Sequence, residues 1–179
     1  MIRQLVTGVI AATLLVSVCG LSSAQSTEAA DKTTGKKYLL EKQPEKSQDV
    51  VAVRKDAKDQ QDVVVVGRIG GRKNPWVKDA AAFSIVDRSL TPCNEMEGDT
   101  CKTPWDYCCE TNLPKSTLLV MVYDADGKLV KKDARALLGL KELDTVVIEG
   151  KAKRDKAGNV TIVASKMYVA PDKKKEAAK

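Results

Sequence analysis

Histidine is absent from the 179 residues. This excludes Ser-His-Asp and Cys-His catalytic pairs, histidine-ligated zinc and haem with a histidine axial ligand. Any metal would have to be held by Cys, Asp, Glu or backbone oxygen. Aromatic residues make up only 4% of the chain, with a single phenylalanine, so aliphatic side chains must supply most of a core. No Cys-x-x-Cys pair occurs, which removes the usual dithiol redox motif. The longest apolar run, Leu5 to Val18, is shorter than the ~20 residues that a membrane-spanning helix needs. Asp124-Ala125-Asp126-Gly127 starts like a calcium loop, but Arg135 stands where the bidentate glutamate would be required, so this segment reads as a turn.

What is present begins with an export signal. Met1-Ile2-Arg3-Gln4 is a short basic start, Leu5 to Val18 is uncharged and apolar, and Ser22-Ser23-Ala24 puts small residues before Gln25. This is the pattern of a cleavable secretory leader over residues 1–24. It predicts an exported chain, periplasmic or extracellular, with no transmembrane segment in the mature form. Cys19 leaves a lipoprotein alternative open, although Val18 departs from the small residue that normally precedes a lipidated cysteine.

Residues 25–48 are polar apart from Tyr38-Leu39-Leu40. They read as a flexible spacer, because so little apolar surface does not offset the entropy of ordering. Residues 171–179 read as a charged tail. The folded unit is expected over 49–170. Asp49 to Arg54 suggests a short first strand or a lead-in. Val63-Val64-Val65-Val66 is a β-branched run within a strand over 62–71. Further strands are expected over 81–87, 117–123, 145–153 and 160–169. The only good helix of this unit is Asp133 to Leu140, with Asp133 as its N-cap. Three strands, one helix and two strands is the connectivity of an OB-fold. The expected fold is therefore mainly β, a five-stranded OB-like Greek-key barrel with one short helix and a Cys-rich insertion, 88–116, between strands 2 and 3.

The segments GRIGGRKNPW, AFSIVD, CKTPWDYCC and GKAKRDKAGN together resemble a group of uncharacterised exported proteins of planctomycete bacteria. The resemblance covers roughly residues 62–169. It implies an OB-like fold and an extracytoplasmic location, and it brings no assigned activity.

Cys93, Cys101, Cys108 and Cys109 crowd the insertion. An even count in an exported chain suggests two disulfides, with Cys108 and Cys109 each bonded outside their own pair, since adjacent residues are poorly placed for a bridge. Each bridge would stabilise the insertion by ~3 kcal/mol. The same four cysteines as a metal or redox site is the alternative, although their spacing matches no standard zinc or iron–sulfur pattern. From Asp87 to Glu110 six acidic residues stand against two basic ones, a net charge of −4.

The whole chain carries 30 Lys+Arg against 24 Asp+Glu, a formal charge of +6. Two loops that flank the ligand cleft of an OB-fold are basic here. Arg68, Arg72, Lys73 and Lys78 surround Trp76 in the first, and Lys151, Lys153, Arg154 and Lys156 lie on or beside the second. Cations next to an exposed aromatic are the combination that binds polyanions such as single-stranded nucleic acid. The expected function is a monomeric, non-enzymatic binding module of the cell envelope, without a cofactor, whose partner is an envelope polyanion or another envelope protein. The alternatives are an interaction domain acting through the acidic insertion, and a metal-binding or redox protein acting through the cysteines.

Overall fold

A computed structural model describes residues 34–171. The leader, Cys19, residues 25–33 of the expected spacer and the charged tail from residue 172 lie outside the described residues. The elements are β1 (Gln48–Asp49), α1 (Val50–Asp56), β2 (Asp62–Ile69), β3 (Ala82–Val86), β4 (Thr117–Val122), α2 (Ala134–Leu138), β5 (Thr145–Arg154) and β6 (Val160–Val169). Short 3-10 turns at Cys93–Glu95 and Leu113–Lys115 interrupt the long connection between β3 and β4.

The strands run in the order β2-β3-β4-β6-β5, and β2 pairs again with β5 to close the sheet. Every pairing is antiparallel except β4 with β6 and the short β1 with β2. A closed five-stranded barrel whose third and fifth strands run parallel, with a helix before the fourth, is an OB-like barrel. The expected fold class is the observed one, with the insertion between the second and third barrel strands.

Strand alternation sends Val63, Val65 and Ile69 of β2, Phe83 and Ile85 of β3, and Leu118, Val120 and Val122 of β4 into one core with Val146, Ile148, Val160 and Ile162. Closure needs a tight point where β5 and β6 cross. The pairing shifts register between Glu149 and Gly150, and a Cβ at Gly150 would run into the Val163 carbonyl. The absence of a side chain there lets the two strands bend past each other. The helix α2 is capped as its sequence suggests. Asp133 accepts from Arg135 N at one end, and Gly139, at φ 70°, ends the other.

Two expectations are corrected. The lead-in is a helix over most of its length. Val50 and Val53 are fully buried while Val51 is exposed, because a three-residue spacing puts the first two on one helical face. There they join the barrel core, with Val50 Cγ2 against Gly67. Burial of that face overrides the β-propensity of valine. The Asp87 carboxylate accepts from Val51 N at 2.7 Å, and Arg54 Nη1 donates to the Thr117 carbonyl at 3.1 Å, so the helix is tied to the barrel at both ends. Second, residues 34–48 are no loose spacer. Tyr38 is buried in the core cluster. Leu40 N donates to the Met167 carbonyl at 2.7 Å, and Met167 N donates to the Tyr38 carbonyl at 2.8 Å. The Tyr38-Leu39-Leu40 island docks beside β6, which is why this apolar triplet interrupts a polar stretch.

Candidate functional site

The insertion is anchored before any sulfur chemistry is considered. Cys93 N donates to the Asp106 carbonyl and Asn94 N to the Pro104 carbonyl, both at 3.0 Å, so its two limbs are laced together. Thr91 N reaches Glu110 Oε1 at 3.0 Å. Tyr107 is fully buried, and its ring lies close to where a Cβ on Gly70 would sit. Trp105 Nε1 donates to the Lys73 carbonyl at 3.2 Å, and Arg68 pairs with Glu95 at 3.0 Å. Gly70 and Gly71 therefore serve as a seat for the insertion. At Gly71, φ is +81° and a Cβ would strike Val86 Cγ2. Ser84 and Val86, which alternate with the inward Phe83 and Ile85 on β3, are buried as well.

The sulfurs of Cys93, Cys101 and Cys108 all lie within 4.8 Å of one another. Cys93 to Cys108 is 3.4 Å, Cys101 to Cys108 is 3.5 Å, and Cys109 stands 3.9 Å from Cys108. None of the four is bonded to another in this structure. Cys93 is buried, Cys101 is half-buried, and Cys108 and Cys109 are exposed. The Asp99 carboxylate, with Cys108 and Cys93 beside it, pushes the Cys101 thiol pKa up. Burial raises the Tyr107 phenol to about 12, and its hydroxyl has no hydrogen-bond partner among the described residues. Backbone hydrogen bonds and the seated tyrosine tie the insertion to itself and to the barrel alongside the four cysteines.

Lys78 is exposed, and the other eight residues expected to bind a polyanion separate into two groups. Trp76 is buried, not exposed. Its ring packs on Phe83 with centroids 5.9 Å apart, its Nε1 donates to Glu142 at 2.6 Å, and Arg135 lies over it at 5.5 Å. It closes over the barrel core and cannot stack on a ligand base. Arg68 is engaged with Glu95 and Lys151 with Asp62 at 2.7 Å. Lys153 lies 5.9 Å from the Tyr123 ring centre. Arg154 is committed to structure. Nε donates to the Ala57 carbonyl, Nη2 to those of Arg54 and Lys55, and Nη1 to that of Gly158. It caps the carbonyl end of α1, whose acceptors would otherwise lack donors.

Arg72, Lys73 and Lys156 remain exposed. Among the described residues their side chains have no carboxylate partner. The hairpin bearing Lys156 is rigid, because Asp155 accepts from Ala157 N, Asn159 N and Asn159 Nδ2. The Asn159 side chain and then its backbone N–H hold the Asp155 carboxyl below its usual range. Two grooves lie elsewhere. One of about 680 Å³ is bordered by Val64, Tyr123, Lys151 and Val163. The other, of about 520 Å³, is bordered by Arg68, Arg88, Glu95 and Asp144.

Sequence reasoning missed the partners more than the residues. Glu95, Asp62 and Glu142 lie 27, 89 and 66 positions from the groups they engage, and no local pattern marks such pairs.

Neither a family model nor a curated protein matches the chain. Among solved structures, a small single-stranded DNA-binding protein from Streptomyces coelicolor is similar at 14% identity and a TM-score of 0.35, covering 66% of this chain and 98% of that one. The barrel assignment stands on the strand pairing and not on this likeness.

Proposed function

We propose that this chain is an exported, non-enzymatic binding module of the cell envelope that takes a polyanion on the turn between the first two barrel strands. The observation that carries this reading is the free cation pair Arg72 and Lys73, presented on a turn that is fixed at Gly70 by Tyr107 and at the Lys73 carbonyl by Trp105. In OB barrels the equivalent loop flanks the ligand face, and Lys156 lies on the other flanking loop. With Trp76 buried, recognition depends on charge, so the ligand class is defined by phosphate or sulfate density and not by base stacking.

Polyphosphate titrated into the full chain tests the proposal. Affinity should fall with salt as counterions are released. Replacing Arg72, Lys73 and Lys156 with Gln should lower the log–log salt slope by roughly two to three, on the order of 0.7–0.9 per lost phosphate contact. Binding that ignores both salt and these substitutions refutes it. Export is tested separately by N-terminal sequencing. A mature chain starting near Gln25 supports cleavage after the leader, and a diacylated start at Cys19 would make the chain a lipoprotein.

A further inference from the structure

We infer that Cys93, Cys101 and Cys108 form a binding site for one thiophilic metal ion, of the class represented by zinc. Thiolate ligand sets select soft or borderline ions such as zinc and copper(I). A tetrahedral ion with metal–sulfur bonds of about 2.3 Å holds its sulfurs about 3.8 Å apart. The contacts of 3.4 and 3.5 Å that Cys108 makes with Cys93 and Cys101 lie a few tenths of an ångström inside that spacing, whereas a disulfide brings two sulfurs to about 2.05 Å.

The arrangement of contacts matters as much as their length. Cys108 touches the sulfurs of both Cys93 and Cys101. A disulfide could join it to only one of them, whereas a metal ion joins all three. The remaining bridge of a two-disulfide scheme would need Cys109, which stands outside the trio. The backbone is already arranged for convergence. Cys93 opens a 3-10 turn whose N–H is fixed on the Asp106 carbonyl, and Cys101 N is held by Asp99 Oδ1 at 2.9 Å. Irregular sequence spacing is no obstacle once these ties fold the segment back on itself.

The local charge favours a cation. The −4 of residues 87–110 includes exposed Asp99, whose carboxylate accepts from Cys101 N. Each thiol loses one proton to solvent as its sulfur–metal bond forms. Three thiolates on a divalent ion carry a net charge of −1, and no oxidant or reductant is required. The fourth position falls to solvent or to Cys109.

The full chain, purified anaerobically with its thiols reduced, should take up one zinc ion per molecule and release one proton for each of the three thiols. Cobalt in place of zinc should give a thiolate-to-metal charge-transfer band. Loss of a group that merely supports a ligand costs about 10–100-fold in metal affinity. Cys93→Ser, Cys101→Ser and Cys108→Ser should therefore each weaken binding by ~100-fold or more, whereas Cys109→Ser keeps the trio and retains uptake. Circular dichroism of the barrel separates lost binding from lost folding. The inference is overturned if the reduced wild-type chain binds no zinc, if the folded Cys93 or Cys101 variants bind as wild type, or if Cys109→Ser alone abolishes uptake. It is also overturned if protein produced with zinc present carries two disulfides and no metal. These readouts are independent of polyanion affinity.

Discussion

The indole nitrogen of Trp76 donates a 2.6 Å hydrogen bond to the carboxylate of Glu142, joining the loop after β2 to the segment that leads into β5. The ring rests on Phe83 with its planes inclined at 51°. Trp76 therefore stabilises the barrel and makes no ligand contact. Trp76→Ala should destabilise the protein by about 3–5 kcal/mol, as expected for truncating a buried aromatic. Trp76→Phe keeps most of the packing and should cost about 1.5–3 kcal/mol for the lost bond to a carboxylate. Denaturant unfolding measures both, and neither folded variant should change the salt slope of polyanion binding.

Arg154 provides a complementary case. Four backbone carbonyls, three of them at the end of α1, accept from its guanidinium. Arg154→Ala should cost about 1.5–3 kcal/mol, the range for hydrogen bonds to a charged group, and loosen residues 50–57. Hydrogen exchange should show the loss of protection there first. A variant that weakens polyanion binding at unchanged stability would return Arg154 to the ligand surface.

The anchoring of α1 also depends on pH. Burial alone would raise the Asp87 carboxyl, but hydrogen bonds from Val51 N and from the Ser89 side chain and backbone outweigh it and hold the group below its ordinary 3.8. A carboxylate lowered on folding contributes stability above its unfolded value, and loses it as pH falls through the folded value. The contribution should be complete above roughly pH 5, decline as pH falls below 3.8, and vanish only below the still lower folded value. Asp87→Asn should destabilise the protein at pH 7 and flatten the acid limb of the stability profile. An acid limb that is unchanged in this variant would show that another group controls it.

Gly150 permits a single bend that closes the barrel. Any side chain there meets the Val163 carbonyl, so Gly150→Ala should destabilise by about 1–3 kcal/mol, the usual cost of overpacking. Gly158 is open to space on a loop at φ +83°, and its replacement by Ala should cost about 1–2 kcal/mol of backbone strain with no packing clash. Thermal or denaturant melts of the two variants compare a packing clash with a purely local conformational penalty.

The barrel was legible in the sequence because its strands announce themselves locally. Val63 to Val66, Phe83 with Ile85, and the Gly-containing hairpin at 155–159 carry their own period and punctuation. Asp133 and Gly139 mark the helix in the same way. The lead-in misled because valine favours strands until Val50 and Val53 find a buried face. Tyr38 was hidden by the polar residues around it. At the candidate sites the residue types were visible, but their availability was not. Which cations stay free depends on carboxylates and carbonyls brought near by the fold. The same holds for the cysteines, whose sequence spacing reveals no geometry until the limbs of the insertion are laced together.

Closure of the barrel bears on what kind of partner can bind. Each of its five strands is paired on both flanks for at least part of its length, and β1 lies along β2 at Val65 and Val66, on the flank not taken by β5. An extended peptide that adds itself to a sheet needs an unpaired row of N–H and C=O groups, and a closed barrel withholds such a row. Among the described residues most of that row is already taken, which disfavours adding an extended peptide to these strands and leaves side chains and loop tips as the larger accessible surface.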